Sequence, residues 1–366
     1  MPVAKTSIGL VSALTAIAIV PFQTPAKADA IRDREWHLGF LHIAEAQKIS
    51  TGAGVSVAVV DTGVHPHPDL KRNLKAGTST LPSAPGDGTD DKNGHGTAMA
   101  GLIAGHGRTG DAGILGIAPA AKIIPVRSTD AEATEADGFL STGIAWAAQN
   151  GAQVINVSGA TAPTVGMRDA IDKADEADAV VVASSGNRPQ DSRIGYPAAM
   201  PGVLAVGAVD RSGMHAAFSV EGDPVQICAP GVEIETTRNN NRYSVAIGTS
   251  PAAAIVSGAA ALVRAKFPDL SAPEVIARLT STATDIGPPG RDKECGFGVL
   301  NIVKALTVGG TDSGDKSEAV SPAPTQQAAP GQDDGEGAPV ALIVGGVVVV
   351  LGGLAALFVA RRRRRG

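Results

Sequence analysis

Val57-Ala58-Val59-Val60-Asp61-Thr62-Gly63 carries both the fold and the first piece of chemistry. Four consecutive apolar residues end in a carboxylate and a glycine. An apolar run without polar alternation suits a strand buried on both faces, as in a parallel sheet covered by helices. The run extends back to residue 55, and similar runs recur at 123–126, 154–157, 180–183 and 203–206. Helical patterns lie between them at 98–104, 140–150 and 167–177, and a later helix covers 251–266. This alternation of strand and helix predicts a three-layer α/β domain with a mainly parallel sheet.

In such sheets, sites form beyond the carboxyl ends of the strands. Asp61 directly follows its apolar run, and Asn187 follows 180–183 through Ser184-Ser185-Gly186. His95 sits in Asn93-Gly94-His95-Gly96-Thr97, before a helix of small residues. Ser250 sits in Gly248-Thr249-Ser250, before an alanine-rich helix. Singly, each has an ordinary explanation: a turn, a solvated histidine, a helix cap. Together, an aspartate, a histidine and a serine in that chain order match one known arrangement of a nucleophilic triad.

These segments resemble the subtilisin-like serine proteases. Supporting matches are His67-Pro68-Asp69-Leu70, Gly116-Ile117-Ala118-Pro119, Ala229-Pro230-Gly231 and Gly296-Phe297-Gly298. The resemblance implies that Ser250 is the nucleophile, His95 the general base and acid, and Asp61 the group that orients the imidazole. It implies Asn187 as side-chain donor to the oxyanion. It places Ser158-Gly159-Ala160 and Ser184-Ser185-Gly186 around the substrate side chain that precedes the cleaved bond. Arg188 stands where many relatives carry an acidic residue. At the pocket rim it would disfavour Lys and Arg; pointing into solvent it would do nothing.

Two departures stand out. Pro251 and Ala254 occupy positions where the family usually has a bulky residue and a proline. Proline tolerates a helix start, yet it biases Ser250 away from the helical region. Pro251 therefore favours a rival reading, a structural subtilisin-fold component of a membrane secretion complex with dispensable proteolysis. An aspartic-protease reading of Asp61-Thr62-Gly63 needs a second such loop. The only similar tripeptide, Asp312-Ser313-Gly314, has no strand before it.

The 366 residues are 43% hydrophobic and 18% charged, enough for a sizeable core. Gly 45 against 3% aromatic residues suggests packing by small side chains. A net charge of -5 gives no basic surface for nucleic acid. Lys5, the apolar run 8–20 and the small-residue sites at Ala26-Lys27-Ala28 or Ala28-Asp29-Ala30 read as a signal peptide over 1–30. A short extension spans 31–54, too few residues for a folded inhibitory domain. It is expected to pack on the catalytic domain, 55–308, and to leave the cleft open. Residues 309–339, rich in Pro and Gly, read as a disordered linker. Residues 340–360 are uncharged and long enough to cross a bilayer, and the tail 361–366 begins with five arginines. The expectation is a single-pass cell-membrane protein with an extracytoplasmic catalytic domain and a cytoplasmic C-terminus.

This order of parts, with the segment 30–36, resembles the mycosins, subtilisin-like proteases of type VII secretion systems. The resemblance implies a polypeptide substrate, the membrane and a type VII secretion membrane complex as partners. Export also favours pairing of the two cysteines, Cys228 and Cys295. Two unpaired buried thiols stay open, because sequence gives no distance between them. No cofactor or metal site is readable. His65 and His67 flank Pro66 without further ligand spacing, and read as solvated loop histidines.

Overall fold

Val57 and Val59 enter one hydrophobic core, while Ala58 and Val60 enter another. The two-residue period of a strand thus places one layer of helices on each face of a sheet. The structure, a computed structural model, describes residues 31–130 and 137–308.

The strands are β1 (Ser56–Asp61), β2 (Thr78–Ser79), β3 (His106–Arg108), β4 (Ala112–Leu115), β5 (Lys122–Arg127), β6 (Val154–Val157), β7 (Val180–Ser184), β8 (Leu204–Val209), β9 (Val225–Pro230), β10 (Ile234–Arg238) and β11 (Arg242–Ala246). The helices are α1 (Trp36–Phe40), α2 (Ile43–Ile49), α3 (His95–Ala104), α4 (Asp137–Gln149), α5 (Val165–Glu176), α6 (Thr249–Lys266), α7 (Ala272–Ser281) and α8 (Ile302–Thr307). A seven-stranded sheet runs β2-β5-β1-β6-β7-β8-β9, and every pairing in it is parallel. Helices α3 and α6, with α2, α7 and α8, bury their apolar faces on one side. Helices α4 and α5 cover the other. The chain builds β5 on one side of β1 and then crosses to β6 on the other. That reversal of direction opens a crevice at the carboxyl end of β1.

Helix α6 is the central packing element. Residues 251–264 are all buried, most of them Ala or other small side chains. Gly258 lets α6 approach the 116–118 loop: a Cβ there would lie 2.6 Å from Ile117 Cβ. Small side chains therefore replace an aromatic core, as the composition suggests. The helix starts at Thr249, two residues earlier than the pattern at 251–266 indicates, and includes Ser250. Pro251 is its third residue, where an N–H has no intrahelical acceptor, so the ring costs no hydrogen bond.

Strand β9 escapes the sequence pattern because Gln226 interrupts its apolar run and Pro230 ends it. Proline is admissible there because β9 is an edge. Cys228 lies on this edge and is bonded to Cys295, with Cα atoms 5.0 Å apart. Beside the bond, Cys228 N–H donates to Gly298 and Leu300 N–H donates back to Cys228. The segment 298–300 thus covers the edge strand.

The expected membrane helix requires correction. Among the described residues no helix is long and apolar enough to cross a membrane. The longest, α6, is apolar because it is buried inside the domain. Residues 340–360 lie outside the described residues, as do 1–30, 309–339 and 361–366. Over the described residues the fold class is the three-layer α/β domain. The expected single-pass anchoring, membrane partner and cell-membrane location find no membrane-crossing helix among the described residues to support them.

Candidate active site

Asp61 ends β1, at the crevice. His95 begins α3, and Ser250 is the second residue of α6. Asp61 Oδ1 lies 2.7 Å from His95 Nδ1 and accepts from Thr62 N–H at 2.8 Å. The Asp61 side chain is buried, while that of His95 is 22% exposed. A buried carboxylate against Nδ1 selects the Nδ1–H tautomer and leaves Nε2 as the basic nitrogen. Gly96 makes this approach possible: a Cβ there would lie 2.1 Å from the Gly63 carbonyl oxygen.

A second buried carboxylate, Asp91, fixes the pair. Its Oδ1 accepts from Thr62 Oγ1 at 2.9 Å and from Gly94 N–H at 2.7 Å. Its Oδ2 accepts from Thr97 N–H at 2.9 Å and from Thr97 Oγ1 at 2.5 Å. Asp91 therefore ties the exit of β1, next to Asp61, to the first turn of α3, which carries His95. It also sits at the positive end of the helix. The sequence reading missed it. The available signal was an acidic residue just before a helix N-terminus, followed by Gly94 and Thr97.

Asn187 follows β7. Its Oδ1 accepts from Thr249 N–H at 2.8 Å and from Thr249 Oγ1 at 3.3 Å. The Thr249 hydroxyl also accepts from Gly186 N–H at 3.1 Å. With Oδ1 committed to Thr249, the Asn187 amide has its nitrogen end available as a donor beside the start of α6. Gly248 sits against this amide at φ +144, a backbone conformation that L side chains rarely adopt. Ser250 Oγ donates to the Ser158 carbonyl at 3.3 Å, and Ser158 Oγ donates to the Ser250 carbonyl at 3.4 Å.

Asp61, His95, Asn187 and Ser250 all line one cleft of about 1000 Å³. Ser158, Gly159, Ala160, Ser184 and Gly186 line it too. Ser185 does not: it is fully buried behind the wall, its hydroxyl without a hydrogen-bond partner. Arg188 is at the cleft, but its guanidinium pairs with Glu221 at 3.0 Å and donates to the Ser219 carbonyl at 3.2 Å. Its charge is thereby matched rather than offered to substrate. His67 is buried against Tyr243, not solvated as the sequence suggests.

The extension docks away from this cleft, and none of its residues lines it. Arg34 pairs with Glu235 at 2.5 Å, and Trp36 Nε1 donates to the carbonyls of Val232 and Glu233. Gln47 donates to Gly116 and Ile117, and Ser50 donates to Leu262. Glu35 is buried and accepts from Leu115 N–H at 3.2 Å, with Arg32 at 3.0 Å.

The subtilase family model matches residues 52–298. Subtilisin BL of Lederbergia lenta is 41% identical over 65% of this chain and 86% of its own. Subtilisin DY of Bacillus licheniformis is 40% identical over 69% of this chain and 91% of its own. Among solved structures, MycP1 with its N-terminal propeptide removed aligns with TM-score 0.69 at 34% identity, covering 77% of this chain and 99% of that one. MycP1 from Mycobacterium smegmatis aligns with TM-score 0.65 at 31% identity, covering 78% of this chain and 86% of that one. A subtilisin-like sheet, a matching family model over most of the described domain and relatives of this identity lead to one conclusion: the chain belongs to the subtilase family of serine endopeptidases.

Proposed function

We propose that the chain hydrolyses peptide bonds of a polypeptide substrate through Ser250, His95 and Asp61, in the service of a type VII secretion system. Ser250 Oγ attacks the scissile carbonyl carbon as His95 Nε2 takes its proton. The Asn187 amide and the Ser250 N–H donate to the oxyanion that forms. His95 then protonates the departing amine, leaving an acyl group on Ser250. Water attacks this ester with His95 again as base. Asp61 holds the imidazole in its tautomer and stabilises the imidazolium.

The observation that carries this reading is the 2.7 Å Asp61–His95 contact on the cleft that Ser250 also lines. The secretion context rests on similarity to MycP1, described as an essential component of the ESX-1 type VII system. The rival scaffold reading draws on Pro251, which follows Ser250 in the first turn of α6, and activity of the purified protein separates the two readings. Purified protein should cleave an unfolded polypeptide, and Ser250→Ala should lose at least about 10³-fold in rate. Cells carrying Ser250→Ala should also accumulate an uncut exported polypeptide. Equal cleavage by both purified proteins would remove Ser250 from the mechanism.

A further inference from the structure

The cleft has a charge that the reading above does not use. Arg238, the last residue of β10, lines the cleft and is exposed. Its Nη2 donates to the Asn93 carbonyl at 3.3 Å, two residues before His95. Gly94 leaves room for its stem: a Cβ there would lie 2.9 Å from Arg238 Cγ. The guanidinium is thus held at the cleft edge by a backbone carbonyl, and among the described residues no carboxylate pairs with it. Arg188, by contrast, is matched by Glu221.

Arg242 stands directly opposite Arg238 in the β10–β11 hairpin. Cross-strand partners point to the same face, and like charges there repel. Residues 244–247 of β11 and its exit line the cleft, and Arg242 stands at the turn end of the same hairpin, beside the cleft lining. Arg242 is exposed and likewise has no carboxylate partner among the described residues. Two guanidiniums opposed across a hairpin, one of them lining a substrate cleft, are relieved by an anion placed between them. A planar carboxylate suits such donors well.

We propose that Arg238 and Arg242 form a subsite that selects an acidic side chain, Asp or Glu, of the polypeptide substrate. This rests on the cleft being the substrate cleft of a protease. The pair determines specificity; it takes no part in bond breaking.

The test uses a set of peptides with Glu, Gln or Lys at each position flanking the cleaved bond. At one position the wild-type protein should cleave Glu over Gln by about fivefold, the scale of a solvent-exposed ion pair. The ratio should shrink with added salt. Arg238→Glu should invert it towards Lys at that same position, and Arg242→Glu should act alike. Arg168→Glu, the same charge change on α5 outside the cleft lining, should leave the ratio alone. An Arg238→Glu enzyme that ranks the three peptides as wild type does would overturn the proposal. Binding of the same peptides to Ser250→Ala, with and without Arg238→Glu, is measured in parallel. If nothing is cleaved, the protease reading fails and the binding ratio alone decides the subsite: a Glu preference lost in Arg238→Glu sustains it, and equal binding refutes it.

Discussion

The proposed triad, as an ordered set of three residue types, is legible in the sequence because Asp61 ends an apolar run while His95 and Ser250 each precede a helix of small residues, all with a glycine within two positions. What holds the set in place is not legible. Asp91 and Thr249 act through hydrogen bonds to groups distant in sequence, such as Thr62 and Asn187. Only folding reveals those partners. Ser185 shows the converse failure, since adjacency to Gly186 does not say which of two neighbouring serines faces the cleft. Arg188 is similar: its partner Glu221 lies on another loop. Asn187 carries the residue-level prediction. Asn187→Ala should lower kcat by about 10²–10³-fold, the known effect of removing this kind of donor in a subtilisin, with KM little changed. A rise in KM with kcat unchanged would instead make Asn187 a substrate-binding group.

Among the elements, the buried strands and α3, α4, α5 and α6 follow from apolar runs and helical spacing. Strand β9 and the hairpin β10–β11 do not, because Gln226 interrupts the apolar run of β9 and the buried strand β10 carries the polar residues Glu235, Thr236 and Thr237. The Cys228–Cys295 bond joins β9 to the segment that covers it and closes a loop of 67 residues. Replacing both cysteines by serine should cost about 4 kcal/mol in unfolding free energy. Chemical denaturation compares the two proteins, and an unchanged midpoint would show that the bond adds nothing. The extension carries a second element-level prediction. Burial pushes the Glu35 carboxyl up to about 8, against the Leu115 N–H and Arg32. Burial pushes the His37 imidazole down to about 3. Stability from Glu35 is present below its ordinary 4.5 and is lost as pH rises towards about 8. Stability from His37 is present above 6.5 and is lost as pH falls towards about 3. The two slopes oppose each other between 4.5 and 6.5, so only Glu35 acts from 6.5 to about 8. Over that upper window unfolding free energy should fall by about 2 kcal/mol. Glu35→Gln should flatten the fall, and a variant that keeps the wild-type slope would exonerate Glu35.

For the whole molecule, three layers, a parallel sheet and a site at the carboxyl end of β1 were all readable, because burial on both faces writes itself as uninterrupted apolar runs. The expected membrane anchor rests on the uncharged residues 340–360 and the arginines that follow them, which lie outside the described residues. The described residues contain no helix that could cross a membrane, and α6 shows that an apolar helix can equally be the centre of a packed domain. The central claim is that Ser250 is a nucleophile made reactive by His95 and Asp61. It is tested most directly by reaction with a fluorophosphonate probe, followed by mass mapping of the labelled peptide. The account predicts one label per molecule, on Ser250, absent from Ser250→Ala and formed far more slowly in His95→Ala. A label on another residue, or labelling of Ser250 at the same rate without His95, would contradict it.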